Sequence, residues 1–110
     1  MSAPRTVGAL RRRLTLEAPV ETADDIGGVT RSFSALANVW GEISPSTGQR
    51  LFVAQRAEED ISHLIRIRWR DGMSAKLRLR LGPRIFQIRA AFDPDERRRY
   101  LHCLCREIKP

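Results

Sequence analysis

The chain of 110 residues is the size of one domain with one modest core, and its 42% hydrophobic and 30% charged content is that of a globular protein. Its apolar runs are too short to span a bilayer, and the basic opening MSAPRTVGALRRRLTLEAP lacks the apolar stretch of a secretory signal, so a cytosolic origin without membrane contact is expected. The net charge of +7 is unevenly spread: residues 61–90 hold seven Arg, one Lys and one acid, while the rest carries twelve basic and twelve acidic groups. Charge of one sign confined to a middle segment points to a polyanionic or acidic partner more strongly than the total does.

In chain order, ALRRRLTLEA reads as a strand, with Leu10, Leu14 and Leu16 on one face and Arg11, Arg13, Thr15 and Glu17 on the other. Arg12 falls on the apolar side and is expected at an edge. PVETADDIGGVTRSFSAL carries turn chemistry at Asp24, Asp25, Gly27 and Gly28 and is expected as an exposed hairpin or long loop. ANVWGEISP is a second strand, with Ala37, Val39, Gly41 and Ile43 facing one way, Trp40 and Glu42 the other, and Pro45 ending it. STGQRLFVAQRAEED, residues 46–60, loses the twofold alternation, and Leu51, Ala54 and Gln55 are spaced as on a short helix within a long connection.

ISHLIRIRWR gives the sharpest alternation, setting Ile61, His63, Ile65, Ile67 and Trp69 against Ser62, Leu64, Arg66, Arg68 and Arg70. After the turn DGMSA, KLRLRL sets Leu77, Leu79 and Leu81 against Lys76, Arg78 and Arg80, and the two segments are expected to form a hairpin. RIFQIRAAF follows, with Phe86, Ile88, Ala90 and Phe92 on one face. RRYLHCLCREI closes the chain as a strand apolar enough to be paired on both sides. Six strands, short turns, one helical insert and no βαβ rhythm predict an all-β, mainly antiparallel barrel or sandwich forming a single domain over 1–110, with residues 1–8 flexible.

Three constellations compete for function. Pro94-Asp95 with Glu107-Ile108-Lys109 imitates the signature of metal-dependent nucleases, but such short patterns arise by chance, and a turn in which Asp95 and Glu96 neutralise Arg97–Arg99 is the simpler reading. His102, Cys103 and Cys105 suggest zinc, yet strand parity sends the histidine away from the cysteines; reduced, buried thiols and a partly buried, satisfied His63 are expected instead. Neither a catalytic residue set nor a metal or cofactor site is assigned. The arginine rows weigh more: on a hairpin, Arg66, Arg68, Arg70, Arg78 and Arg80, with Lys76, would form one cationic surface, facing either DNA or acids of a neighbouring subunit. Acids available for the second role are Asp24, Asp25, Glu58, Glu59 and Asp60. Only Trp69 accompanies the arginines, on the other parity, which disfavours single-strand binding by stacking.

The order of LRRRLTLEAPVETADDIGGVTRSFS, LANVWGEISPSTGQRLFVAQ, SHLIRIRWRDGM and RIFQIRAAFDPDERRRYLHCLC, from Leu10 to Glu107, resembles the head-tail joining proteins, also called head-closure or stopper proteins, of tailed bacteriophages and gene transfer agents. The resemblance implies a non-enzymatic β-barrel subunit of a homo-oligomeric ring. That ring would lie between the portal or its adaptor and a tail protein, assemble in the bacterial cytoplasm, sit at the head-tail junction of the virion, and retain packaged double-stranded DNA. It further implies that the loop between the second and third strands faces the channel, with Gln49, Arg50, Phe52 and Arg56 as the residues presented there. The alternative from the residues alone is a free-standing basic nucleic-acid-binding barrel.

Overall fold

Alternating apolar residues over six segments dictate strands that each need a common interior, and the chain closes them into one barrel. The computed structural model describes residues 10–45 and 61–108. The expected helix within 46–60 and the expected flexibility of residues 1–8 lie outside the described residues. The strands are β1 (Arg12–Ala23), β2 (Val29–Pro45), β3 (His63–Arg68), β4 (Arg78–Leu81), β5 (Arg84–Phe92) and β6 (Tyr100–Ile108). Every pairing is antiparallel, in the closed order β1-β2-β3-β6-β5-β4.

The interior is filled by Leu14 and Leu16 of β1, Ile65 and Ile67 of β3, Leu79 of β4, Phe86 and Ile88 of β5, and Leu101, Cys103 and Cys105 of β6, with Leu77 just before β4. A barrel of this strand number is narrow enough for its own side chains to fill it. β6 is paired on both sides, by β3 and β5, as its apolar sequence requires. Both cysteines are fully buried free thiols. Burial pushes the Cys103 thiol up to about 12 and Cys105 well above its ordinary range, so both stay protonated at neutral pH.

β3 and β4 do not form the hairpin expected from their sequences. β3 pairs with β2 and β6, β4 with β1 and β5, and the two lie three strands apart whichever way the barrel is traversed. The apolar alternation fixes which way a strand faces but not its neighbour.

Two bulges also depart from simple alternation. In β5, Ile88 pairs with Cys105 and Ala90 with Leu104, leaving Arg89 as the extra residue. Parity flips there, so Ala91 faces the core opposite Cys103, while Phe92 turns outward and meets the His102 ring edge-on at 5.5 Å. The expectation of Ala90 and Phe92 on the Phe86 face is corrected by this one residue. In β2, Leu36 is the extra residue between Ala37, opposite Leu16, and Ala35, opposite Glu17.

The segment after Ala18 is a hairpin. β1 and β2 pair with each other as far as Ala23 and Val29, whereas β4 accompanies β1 only over Thr15–Glu17 and β3 accompanies β2 only from Gly41 onward. Pro19–Ala23 and Val29–Phe33 therefore form a two-stranded arm projecting from the barrel. Pro19 lies just beyond the last residue paired to β4, where its missing N–H deprives no third strand. At the tip, Asp24 Oδ1 accepts the N–H groups of Ile26 (3.0 Å) and Gly28 (2.7 Å), and Gly27 takes φ 83°.

Gly41 marks the tightest approach of β2 to its neighbours. A Cβ there would lie 2.7 Å from Leu14 Cδ1 and 3.2 Å from the Arg66 carbonyl oxygen and from Ile67 Cγ2. Gly41→Val is expected to destabilise the barrel by about 1–3 kcal/mol, read as a lower urea midpoint at unchanged slope. The native thiols should resist an aromatic disulfide reagent at pH 8 and both react once urea unfolds the chain; rapid native labelling would contradict the burial of Cys103 and Cys105.

Candidate functional site

The two arginine rows occupy opposite walls of the barrel, because β3 and β4 are opposite in strand order. They do not form the single cationic surface that a β3–β4 hairpin would have made. Each wall meets a carboxylate from the neighbouring strand of the same chain. On the β4 wall, Glu17 is opposite Arg78 and its side chain is only 4% exposed. Arg78 Nε donates to Glu17 Oε1 at 2.6 Å, and Arg80 Nη2 lies 3.2 Å from Oε2. The Arg78 guanidinium also covers the Phe33 ring, 3.7 Å from its centroid. The Leu36 bulge makes this stack: were Leu36 paired opposite Glu17 instead of bulged out, Phe33 would fall opposite Val20, on the other face from Glu17 and Arg78.

On the β3 wall, Arg66 is buried, pairs with Glu42 at 3.5 Å and lies 3.9 Å over the Tyr100 ring. Arg66, Arg78 and Arg80 are thus compensated within the chain, by Glu42 and Glu17. Arg68 is different. It is exposed at the end of β3, 6.0 Å from the Tyr100 centroid, and has no carboxylate partner among the described residues. Arg70, just beyond β3, has a buried Nε with no hydrogen-bond partner among the described residues. Lys76 is exposed in the turn before β4.

Sequence reasoning missed a third cationic group beside Arg68. The turn Asp93–Arg99 packs against the end of β3: Trp69 N–H donates to the Arg99 carbonyl at 3.0 Å, and the Arg98 guanidinium lies 5.1 Å over Trp69. Arg66, Arg68, Arg98, Arg99, Tyr100 and His102 line a shared open cleft. The turn is held by Asp93, whose carboxylate accepts the N–H groups of Glu96 (3.0 Å) and Arg98 (2.7 Å). Both residues sit in the left-handed region, at φ 58° and 57°, a conformation that costs side-chain-bearing residues about 1 kcal/mol or more each without such support. Asp95 pairs with Arg99 at 2.6 Å, as the neutralising reading anticipated, and this bond holds its carboxyl below the ordinary range. The signal available in the sequence was Tyr100, which the β6 register places opposite Arg68.

The nuclease and zinc readings come apart in space. Asp95 lies before the first residue of β6 and Glu107 near its last, roughly 20 Å or more along the strand. Glu107 accepts two bonds from Arg84, at 2.9 and 3.1 Å. Cys103 and Cys105 face the core while His102 faces out against Phe92. Ser62, His63 and Glu107 do meet: Ser62 Oγ is 2.9 Å from His63 Nδ1, and His63 Nε2 lies 3.9 Å from Glu107. Ser62 Oγ also accepts the Glu107 N–H at 2.7 Å, and the His63 ring packs edge-on to Phe86 at 5.1 Å, so the cluster ties β3 to β6. Among the described residues no group of three His, Cys, Asp or Glu side chains is placed to hold a metal ion. No described helix is long and apolar enough to cross a membrane.

Of the acids expected at subunit contacts, Asp24 and Asp25 stand at the arm tip. Asp24 is engaged in the turn, whereas Asp25 is exposed and has no partner among the described residues. Glu58, Glu59 and Asp60, with Gln49, Arg50, Phe52 and Arg56, lie outside the described residues.

A family profile described as phage head completion protein matches residues 5–108. The chain belongs to that family. Among solved structures it is similar to a Shigella flexneri 2a protein determined in solution, at 26% identity and TM-score 0.71, over 94% of this chain and 96% of that one. It is also similar to a chain from the virion of a native gene transfer agent particle, at 30% identity and TM-score 0.66, over 96% and 98% of the two chains. No curated protein shows significant similarity. This phage head completion protein is accordingly a structural component of a virion or virion-like particle, and its family is the one its strand motifs resemble.

The wall chemistry separates structural from available arginines. Glu17→Gln leaves Arg78 and Arg80 without their shared carboxylate and is expected to cost about 1–3 kcal/mol in urea unfolding, the lower part of the buried-pair range because both cations keep some solvent. Arg68→Glu on the opposite wall should change stability by less than about 0.5 kcal/mol. Equal costs would contradict the asymmetry.

Proposed function

We propose that this head completion protein is the head-closure, or stopper, subunit of its particle: a non-enzymatic barrel that repeats around a ring between the portal or its adaptor and the tail, and retains packaged double-stranded DNA. The family match over nearly the whole chain carries this reading. Likeness to a chain of a gene transfer agent virion over almost the full length of both chains supports it. In this reading residues 46–60, which join β2 to β3, present Gln49, Arg50, Phe52 and Arg56 to the channel. Glu58, Glu59 and Asp60 join Asp24 and Asp25 as acids available to neighbouring subunits.

A DNA-enclosing ring needs cations that read no sequence, since phosphates repeat regularly along the duplex. The arrangement favours Arg68 and Arg98 for that role over Arg66 and Arg78, which are committed to Glu42, Tyr100, Glu17 and Phe33. Arg70 and Arg80 are intermediate, the first incompletely bonded and the second shared with Glu17. The same exposed arginines keep alive a second reading, a free-standing nucleic-acid-binding barrel.

Two measurements decide between the readings. In particles produced from the surrounding gene cluster, mass spectrometry should find the chain in a fixed, multiple copy number, and deletion of its gene should leave tailless heads that lose their packaged DNA. A chain absent from particles would sink the connector reading. For the isolated subunit, duplex DNA retardation at low salt should be weak and should vanish near physiological salt, with Arg68→Glu and Arg98→Glu each lowering the salt slope by about one. Tight binding that survives physiological salt would favour the free-standing reading.

A further inference from the structure

The arm and the base from which it springs carry complementary features that the barrel itself does not use. At the tip, Ile26 is 90% and Val29 63% exposed, and Asp25 offers a carboxylate with no partner among the described residues. Glu21 and Arg31 on the arm cancel one another at 3.0 Å, which leaves Asp24 and Asp25 to set the sign of the tip. An exposed Ile beside two carboxylates, on a turn that two hydrogen bonds to Asp24 hold in shape, is a poor solvent-facing design and a good plug.

At the base, where β3 has ended and β2 continues toward the arm paired only with β1, an open groove of about 520 Å³ is lined by Leu10, Val39, Trp40 and Trp69, together with Arg68 and Arg70. Its lining is mainly apolar, and Trp40 is itself 55% exposed. The buried Arg70 Nε without an acceptor is an independent sign that an incoming acceptor is missing, since buried N–H donors are nearly always paired. Tip and groove therefore match in shape of chemistry and in charge: an aliphatic side chain flanked by carboxylates against an aromatic trough flanked by guanidinium groups.

A tip cannot fill the groove of its own chain, because both belong to the same hairpin and lie roughly 30 Å apart along it, nine residues from Asn38 to Val29 at ~3.3 Å each. The occupant is a second copy. We infer that Ile26 and Asp25 of one subunit dock into the Trp40–Trp69 groove of the next, with Asp25 meeting Arg70 and Arg68 left at the exposed rim. The contact is heterologous, using two different surfaces of each chain, so it propagates from subunit to subunit and closes into a ring when the rotation allows. It rests on the connector reading for its biological setting, but its geometry stands on the arm and groove alone.

The buried native thiols make a cysteine test selective. Asp25→Cys combined with Arg70→Cys in the full chain, oxidised at high protein concentration and within particles, should give a disulfide ladder on a non-reducing gel that extends beyond dimers and collapses on reduction. Either substitution alone should give dimers at most. Ile26→Asp, which touches nothing in its own barrel, should lower the cross-linked fraction of the double-cysteine chain by about tenfold or more. As a test without cysteines, Asp25→Arg and Arg70→Glu should each reduce incorporation into particles, and the two together should restore it.

A ladder that stops at dimers would mean two-fold pairing and overturn the head-to-tail contact. No cross-link and undiminished incorporation of Ile26→Asp, with the unaltered chain present in particles, would overturn the tip-in-groove contact while leaving the connector reading standing. Cross-linking in solution by a chain that never enters particles would uphold the contact and remove the connector reading. Unchanged thermal melting of each variant in circular dichroism serves as the folding control.

Discussion

The barrel closes through its shortest seam, the three residue pairs that join Thr15–Glu17 of β1 to Arg78–Arg80 of β4. So short a ladder offers few backbone hydrogen bonds to hold the two ends of the sheet together. Glu17 compensates from outside. Nearly withdrawn from solvent, its carboxylate spans Arg78 and Arg80, and Arg78 in turn lies on Phe33 of β2, so one acid links β1, β4 and the root of the arm. In bulk water each of these contacts is worth little, but around a screened carboxylate the loss of one partner leaves a charge stranded. The core beneath, Leu14, Leu16, Leu77 and Leu79, supplies the nondirectional part of closure. Glu17 supplies the register.

That seam explains why part of the architecture was legible in the sequence and part was not. Strand direction and facing follow from period-two alternation, and Ile65, Ile67, Leu79 and Cys103 all point inward as their parity demands. Strand order depends on which strand finds which across long sequence separations. Nothing in the local pattern of IRIRWR or LRLR says that their neighbours are EIS and TLE. A tight turn between two alternating segments is the usual hairpin signal, yet Asp71–Ala75 connects opposite walls here. The bulges at Leu36 and Arg89 are invisible for a different reason: each adds a residue of ordinary strand type, with neither glycine nor proline to mark it, and its effect appears only in the partner's register.

The candidate site shows the same division. Parity alone separated His102 from Cys103 and Cys105 and placed Arg66, Arg68, Arg78 and Arg80 outside. It could not reveal that Glu17 and Glu42 stand opposite two of those arginines, which turns the argument about crowded like charge into one about internal pairing. Nor could it bring Arg98 to Trp69, because that contact depends on Asp93 holding two left-handed residues in a turn whose composition reads only as charged and polar. The cations left over, at Arg68, Arg70 and Arg98, cluster at one end of β3 rather than along it.

Closure also limits how such a subunit can assemble. A closed barrel has no free edge strand, so neighbouring copies cannot extend one another's sheets through the barrel wall. What remains for contact is loops and whatever projects. The β1–β2 arm projects, and its two strands keep the free edges the barrel has lost; its charged pair Glu21–Arg31 and Pro19 blunt those edges against indiscriminate pairing. In the inferred contact, specificity falls to the tip, where apolar exposure is greatest, and to the groove at the arm's base, where a guanidinium nitrogen lacks an acceptor among the described residues. Because the tip and the Asn38–Trp40 side of the groove belong to one hairpin, the inferred contact would let the length of the arm set the spacing between neighbouring subunits. Removing one residue from each of its strands would preserve the pairing register but turn the remaining side chains to the opposite faces relative to the barrel, whereas removing two from each would keep the facing and shorten the repeat by roughly 7 Å. If the inferred contact builds a ring, its size would be coupled to strand length in steps of two residues, a constraint that a contact between two rigid barrel faces would not impose.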